Sequence, residues 1–150
     1  MDPTDIAILR LLQADATISI EKISQAVSLS HTPVWRRIDR LEKSGAILGR
    51  YCKIDRKALG LGVTAFASVK LSRQDEAALV EFESAVCDIP EIVDCYSMTG
   101  SHDYMLKVIA PSVEGYESVI KKKIVHLPHF RDLHSNIALR EIKQTDALPI

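Results

Sequence analysis

Aromatic side chains make up only 5% of this chain, with a single tryptophan, and no apolar run approaches the roughly 18 residues a membrane-spanning helix requires. No membrane partner is therefore expected. The opening Met1-Asp2-Pro3-Thr4-Asp5 is acidic and polar, which is not a secretory signal. Cysteine is sparse as well. Cys52, Cys87 and Cys95 are odd in number and form no C-x-x-C pair, which argues against a disulfide framework or a zinc ribbon. They are expected to be reduced, half-buried thiols of a cytoplasmic protein. Of the five histidines, His126 and His129 stand three apart with Pro128 between them, and spacing places no third ligand near them. No metal or other cofactor is expected, because a zinc site needs three or four protein ligands. A nucleophile elbow, a P-loop and a dinucleotide fingerprint are also missing.

What is present is an uneven charge. The net charge of −1 conceals an excess of three positive charges in residues 1–60 and an excess of four negative charges in the remainder. A basic part joined to an acidic part points to a nucleic-acid-binding segment attached to something else. The basic excess is concentrated in residues 31–57.

That region includes the most informative stretch, Ser19 to Arg50. Ile20, Ile23 and Val27 lie on one helical face, with Ser19 as N-cap and Glu21 in the first turn. Ser28-Leu29-Ser30 is a tight turn. A second helix begins at Ser30 or Thr32, with Pro33 in its first turn, where the missing N–H is harmless. Val34, Ile38 and Leu41 form its buried stripe. Thr32, Pro33, Arg36, Arg40 and Lys43 point away from it, Arg37 flanks them, and Gly45 is a left-handed stop. Two short helices joined by so short a turn predict a helix-turn-helix, whose second helix offers arginines to phosphates and guanine edges. Trp35 is expected to pack against the first helix. Before this motif, Asp2 caps and Pro3 opens a bracing helix whose broad apolar face is made by Ile6, Leu9 and Leu12 with Ile8 and Leu11 beside them. After it, 47–54 has strand composition and carries Arg50 and Lys53, as a wing does.

Residues 55–62, with Gly60 and Gly62, are the expected linker between a first domain at 1–54 and a second at 63–150. The second half alternates strand and helix: 63–71, 75–86, 92–98, 103–110, a helix capped by Ser112, and a last strand over 131–142. A weak repeat of period 38 pairs Ile89-Pro90-Glu91-Ile92-Val93-Asp94 with Leu127-Pro128-His129-Phe130-Arg131-Asp132. The expected fold class is therefore α+β, a winged helix-turn-helix followed by a ferredoxin-like βαββαβ domain. Such a sheet has one bare face, through which it tends to dimerise or bind. Lys121-Lys122-Lys123 reads as a solvated helix face.

The whole chain, over residues 2–146, resembles the Lrp/AsnC family of prokaryotic transcription regulators. The resemblance rests on Asp5-Ile6 before I-L-R-L-L-Q-A-D, on L-S-H-T-P-V-W-R-R-I-D-R-L-E-K-S-G-A-I, on T-G-S-H-D-Y-M-L-K and on the closing E-I-K-Q-T. His31 departs from the Ser-Pro-Thr-Pro or Thr-Thr-Pro that family members often carry. The resemblance implies a DNA-binding regulator that responds to a free amino acid. It also implies a homodimer joined through the sheets and an octamer built as a tetramer of dimers.

On double-stranded DNA with a pseudo-palindromic operator, the expected contacts are His31, Thr32, Pro33, Arg36, Arg37, Arg40 and Arg50. The effector is expected at the loop Met98, Thr99, Gly100, Ser101, His102, Asp103 and Tyr104, which in the family lines an amino-acid pocket between dimers. A plain hairpin turn with Gly100 at positive φ is the alternative there. If the loop is a site, its amides suit a carboxylate, Asp103 an ammonium, Met98 and Tyr104 apolar walls and His102 a polar side chain. The resemblance adds Ser135 as a nearby hydroxyl. The competing reading of the whole protein is a regulatory subunit that binds no DNA, or a small-molecule enzyme using the βαββαβ domain. Against it, residues 61–150 show no paired carboxylates and no base–nucleophile set.

Overall fold

The computed structural model describes residues 1–150, which divide into two units, Met1–Ile54 with Lys143–Ile150, and Asp55–Ile142. The first unit holds three helices, α1 (Pro3–Ala14), α2 (Ile20–Val27) and α3 (His31–Lys43). Each begins where local chemistry provides for it. Asp2 and Asp5 form a reciprocal capping box at α1, with Pro3 in the first turn, and Ser19 accepts from the Lys22 amide at α2. Helix α3 ends before Gly45, whose φ of 74° is comfortable only without a Cβ. Ile8, Ile23, Val34 and Ile38 form the small core, with Leu11, Leu12, Ile20, Val27, Leu29 and Ile47 packed around it.

The second unit runs β1 (Val63–Leu71), α4 (Glu76–Cys87), β2 (Ile92–Ser97), β3 (Tyr104–Ala110), α5 (Val113–Lys122), a 3-10 turn at Ile124–His126 and β4 (Phe130–Ile137). The strands form one antiparallel sheet in the order β2-β3-β1-β4, the ferredoxin-like arrangement. Ala65, Ala67, Val69 and Leu71 alternate inward with Tyr104, Leu106 and Val108, and Phe82, Val86, Tyr116, Val119 and Ile124 complete that core. The opposite sheet face carries Phe66, Lys70, Met105, Lys107, Tyr96 and His134, and neither helix of the unit contributes to it.

Several expectations are corrected. Residues 47–54 form no strand, so the expected wing is an irregular segment. A strand needs a partner for its backbone groups, and this unit supplies none, leaving Leu48 88% exposed. The last strand stops at Ile137 rather than 142, because β1 begins at Val63 and the Ala138 amide makes the final sheet bond to Thr64. The tail 143–150 lies with the helical unit, where Gln13 and Arg10 bond the Leu148 and Ile150 backbone. Trp35 is 55% exposed, since it lies a quarter-turn from the Val34–Ile38–Leu41 stripe and the core is filled by aliphatic residues. All three cysteines are exposed: in the irregular segment, at the end of α4 and on the edge strand β2.

Candidate nucleic-acid interface and effector loop

The outward face of α3 begins at its first turn. His31, Thr32 and Pro33 are exposed there, and Ser30 stands at the N-cap without a side-chain bond to the helix amides. Arg36 follows one turn later, exposed and without an acidic partner. Lys43 is tied to Asp39 at 2.8 Å, and Arg50 reaches back to Glu42 at 3.3 Å. At the surface such pairs are weak enough to be exchanged for phosphate.

Arg37 and Arg40 are arranged differently. Asp5, on α1, is 1% exposed, yet it carries a full set of partners. Its Oδ1 accepts from Arg37 Nη1 at 2.7 Å and from Arg40 Nη2 at 2.8 Å, and its Oδ2 accepts from the same Arg40 nitrogen at 2.8 Å and from the Asp2 amide at 3.0 Å. Arg37 also reaches Asp2 at 2.5 Å. Burial alone would raise the Asp5 pKa. The Asp2 amide, the Arg37 hydrogen bond and the Arg40 charge outweigh that and hold it below the ordinary carboxylate value. Asp2 is also held low, chiefly by the Arg37 hydrogen bond. Two of the three arginines of α3 therefore fix it to α1. The Arg37 side chain is largely committed inward, while that of Arg40 remains 59% exposed and keeps donors free for a ligand. Sequence reasoning missed this clamp. Its only trace there is Asp5 at the third position of a capping box, preceding a helix with arginines at 37 and 40.

In the second unit the β2–β3 hairpin closes through the Met98 amide, which donates to the Asp103 carbonyl at 2.8 Å, and Gly100 sits at φ 115°. Met98, Thr99, Gly100 and Ser101 are exposed, and His102 is half-buried. The backbone amides of Thr99, Gly100, Ser101 and His102 donate to nothing in the chain. Asp103 turns inward: its carboxylate accepts from the Leu71 amide and the Gln74 side chain, each at 2.8 Å, with Lys70 Nζ at 3.6 Å. Tyr104 belongs to the core, its ring 4.6 Å from that of Phe82 and its hydroxyl donating to Glu83 at 2.7 Å. Burial, then the Glu83 hydrogen bond, pushes its pKa up. Ser135 faces the helices and bonds the Tyr116 hydroxyl at 2.7 Å. His102 lies instead near His134, their ring centres 6.3 Å apart.

Residues 1–42 match the AsnC-type helix-turn-helix domain, and residues 64–148 match the Lrp/AsnC ligand binding domain. The chain belongs to the Lrp/AsnC family. It is 33% identical to the DNA-binding transcriptional activator DecR of Escherichia coli K12 over 150 residues, covering all of this chain and 99% of that one. An AsnC family transcriptional regulator from Agrobacterium tumefaciens superposes with a TM-score of 0.93 at 36% identity, over 99% of this chain and 97% of the other. A Neisseria meningitidis transcriptional regulator, solved as its L-Met complex, gives 0.92 at 30% identity, over 99% and 96%. The protein is a DNA-binding transcription regulator of the Lrp/AsnC type rather than an enzyme. It has a ligand-binding α/β domain, and none of its helices is long and apolar enough to cross a membrane.

Proposed function

We propose that the protein binds a free amino acid at the Met98–His102 loop and that this binding sets how it engages a pseudo-palindromic operator. The observation that carries the effector reading is the set of four unpaired amides from Thr99 to His102. Consecutive free N–H groups in a turn suit a carboxylate, and Gly100 lets a ligand approach the backbone closely. The L-Met complex of the Neisseria relative supports the same ligand class. In this reading Met98 and His102 meet the ligand's side chain. Asp103 and Tyr104 support the loop from within the fold, where their polar groups are engaged, whereas Ser135 is bonded to Tyr116 on the helix-covered face and takes no part in this reading. On the DNA side, Thr32, His31 and Pro33 enter the groove, and Arg36 reads a base edge or phosphate. Arg40 and Arg50 take flanking phosphates, and Arg37 positions the helix. The bare sheet face supports a dimer, and by family likeness an octamer.

Thermal shift against the twenty amino acids tests the effector, since a ligand of the native state raises its melting point. One or a few should do so, and the shift should vanish when a bulky residue replaces Gly100. No shift with any of them would refute the effector reading. Gel shift with genomic fragments should give binding that falls with salt as counterions are released. Sedimentation should show at least a dimer at micromolar concentration.

A further inference from the structure

We propose that Trp35, the chain's single tryptophan, is a DNA-contacting residue that reads thymine through its C5-methyl group in the major groove. The inference deepens the DNA-binding reading above and rests on it. Three observations carry it. First, Trp35 is on α3 and 55% exposed, although an indole is among the most strongly burying side chains available to a small domain. Second, the helical core is complete without it: Ile8, Ile23, Val34 and Ile38 are closed over by Leu11, Leu12, Val27, Leu29 and Ile47. Third, its neighbours on the helix surface are those of a nucleic-acid face. His31 and Thr32 lie one turn before it and Asp39, neutralised by Lys43, one turn after; His31, Thr32 and Trp35 all sit in the first half of α3, and Arg36 follows in sequence on the next face round. A recognition helix presents its N-terminal residues to base edges.

The chemistry selects the target. In the major groove thymine alone presents a methyl group, and apolar side chains discriminate it by contact. The unpartnered cation of Arg36, on the same turn of α3, favours a polyanion over a neutral protein surface. The indole supplies a broad apolar plane, and its Nε1–H remains free to donate to a phosphate or a thymine O4. Burying it against DNA would recover the hydrophobic contribution that folding leaves unused.

Because Trp35 is the only tryptophan, its emission reports the contact without labels. A duplex selected from random sequence by the full-length protein is the probe, made in parallel with deoxyuridine replacing thymidine, which deletes only the methyl. On adding the thymidine duplex, the emission should shift to the blue and fall in intensity. Wild type should bind the deoxyuridine duplex about fourfold more weakly, the size expected for one buried methyl group. Trp35→Ala should bind the thymidine duplex weakly by a similar factor and no longer distinguish the two, closing a double-mutant cycle. Trp35→Phe should recover part of the discrimination.

Emission unchanged at saturating DNA would overturn the proposal while leaving DNA binding intact. Emission that shifts with protein concentration alone would assign Trp35 to a protein interface and overturn it too. Equal affinity of wild type for both duplexes would refute the methyl contact. If wild type selects no duplex, the DNA-binding reading fails first and this contact fails with it.

Discussion

The outward face of α3 presents side chains, whereas the loop from Met98 to His102 presents backbone. On α3 the display consists of Arg36, the first-turn Thr32 and the exposed part of Arg40, held in place by a buried carboxylate beneath. In the loop the display is four unpaired amides, and the nearby carboxylate of Asp103 is spent chiefly on the Leu71 amide and the Gln74 side chain, with Lys70 at 3.6 Å, which fix the hairpin to the end of β1. Both surfaces rest on an aspartate that turns inward, but Asp5 is satisfied by two guanidiniums and Asp103 mainly by amides. A surface made of side chains is sensitive to single truncations. One made of backbone responds chiefly to changes in its dihedral angles.

The largest expected effect is therefore at Asp5. Asp5→Ala leaves Arg37 and Arg40 without their shared acceptor and should destabilise the helical unit by about 2–3 kcal/mol, in the range of hydrogen bonds to charged groups. DNA affinity should fall with it as α3 loses its brace, and thermal denaturation with gel shift measures both. A fully stable Asp5→Ala protein would show that the clamp contributes nothing to the fold. Next comes Arg36→Ala, expected to weaken DNA binding by about 1–3 kcal/mol with an unchanged melting temperature, because Arg36 has no partner within the chain.

In the loop, Gly100→Val should cost about 1–2 kcal/mol of stability, since φ 115° is strained for any residue with a Cβ. It should also abolish the amino-acid shift. Ser101→Ala, by contrast, removes only an exposed bond between its hydroxyl and His102 Nδ1 at 3.0 Å and should cost no more than about 1 kcal/mol. A Ser101→Ala protein that binds no ligand would break the backbone-against-side-chain contrast, and calorimetry reads it.

Acid should also separate the surfaces. The Asp5 pKa is lowered in the fold, so its contribution to stability is present above the unfolded value of 3.8 and is lost as pH falls below it through the folded value. Tyr104 behaves oppositely. Its raised pKa means that its contribution holds below the ordinary 10.0 and disappears as pH rises through the folded value. Amide exchange followed by pH should show the α1–α3 contacts loosening in acid and the Tyr104 neighbourhood loosening in alkali.

The difference between the two surfaces also explains what could be read from the sequence. Periodicity placed Val34, Ile38 and Leu41 inside, capping chemistry placed the starts of α1, α2 and α5, and alternation placed β1 from Val63 to Leu71. These depend on near neighbours. The wing strand could not be judged that way, because pairing depends on a partner far along the chain or absent from it. Trp35 followed the composition rule that large apolar residues go inside, but the rest of a small core had already filled the space. The Asp5 clamp joins residues more than thirty positions apart, so charge counting saw three free arginines where one is free and two are tied. In the loop, the glycine was legible, but the inward turn of Asp103 and Tyr104 depends on register across β1 and β3, and the bond of Ser135 to Tyr116 on that of β1 and β4.

The division of labour among the arginines is tested most directly by the salt dependence of DNA binding in Arg36→Ala and Arg37→Ala, compared with each protein's melting temperature. Removing one arginine from a phosphate should reduce the log–log salt slope by about one. Arg36→Ala is expected to flatten the slope or relax base preference at an unchanged melting temperature. Arg37→Ala should lower the melting temperature and keep the wild-type slope. An Arg37→Ala protein that melts as wild type but binds DNA with a flatter slope would contradict the assignment, placing on the DNA the guanidinium that here holds Asp2 and Asp5.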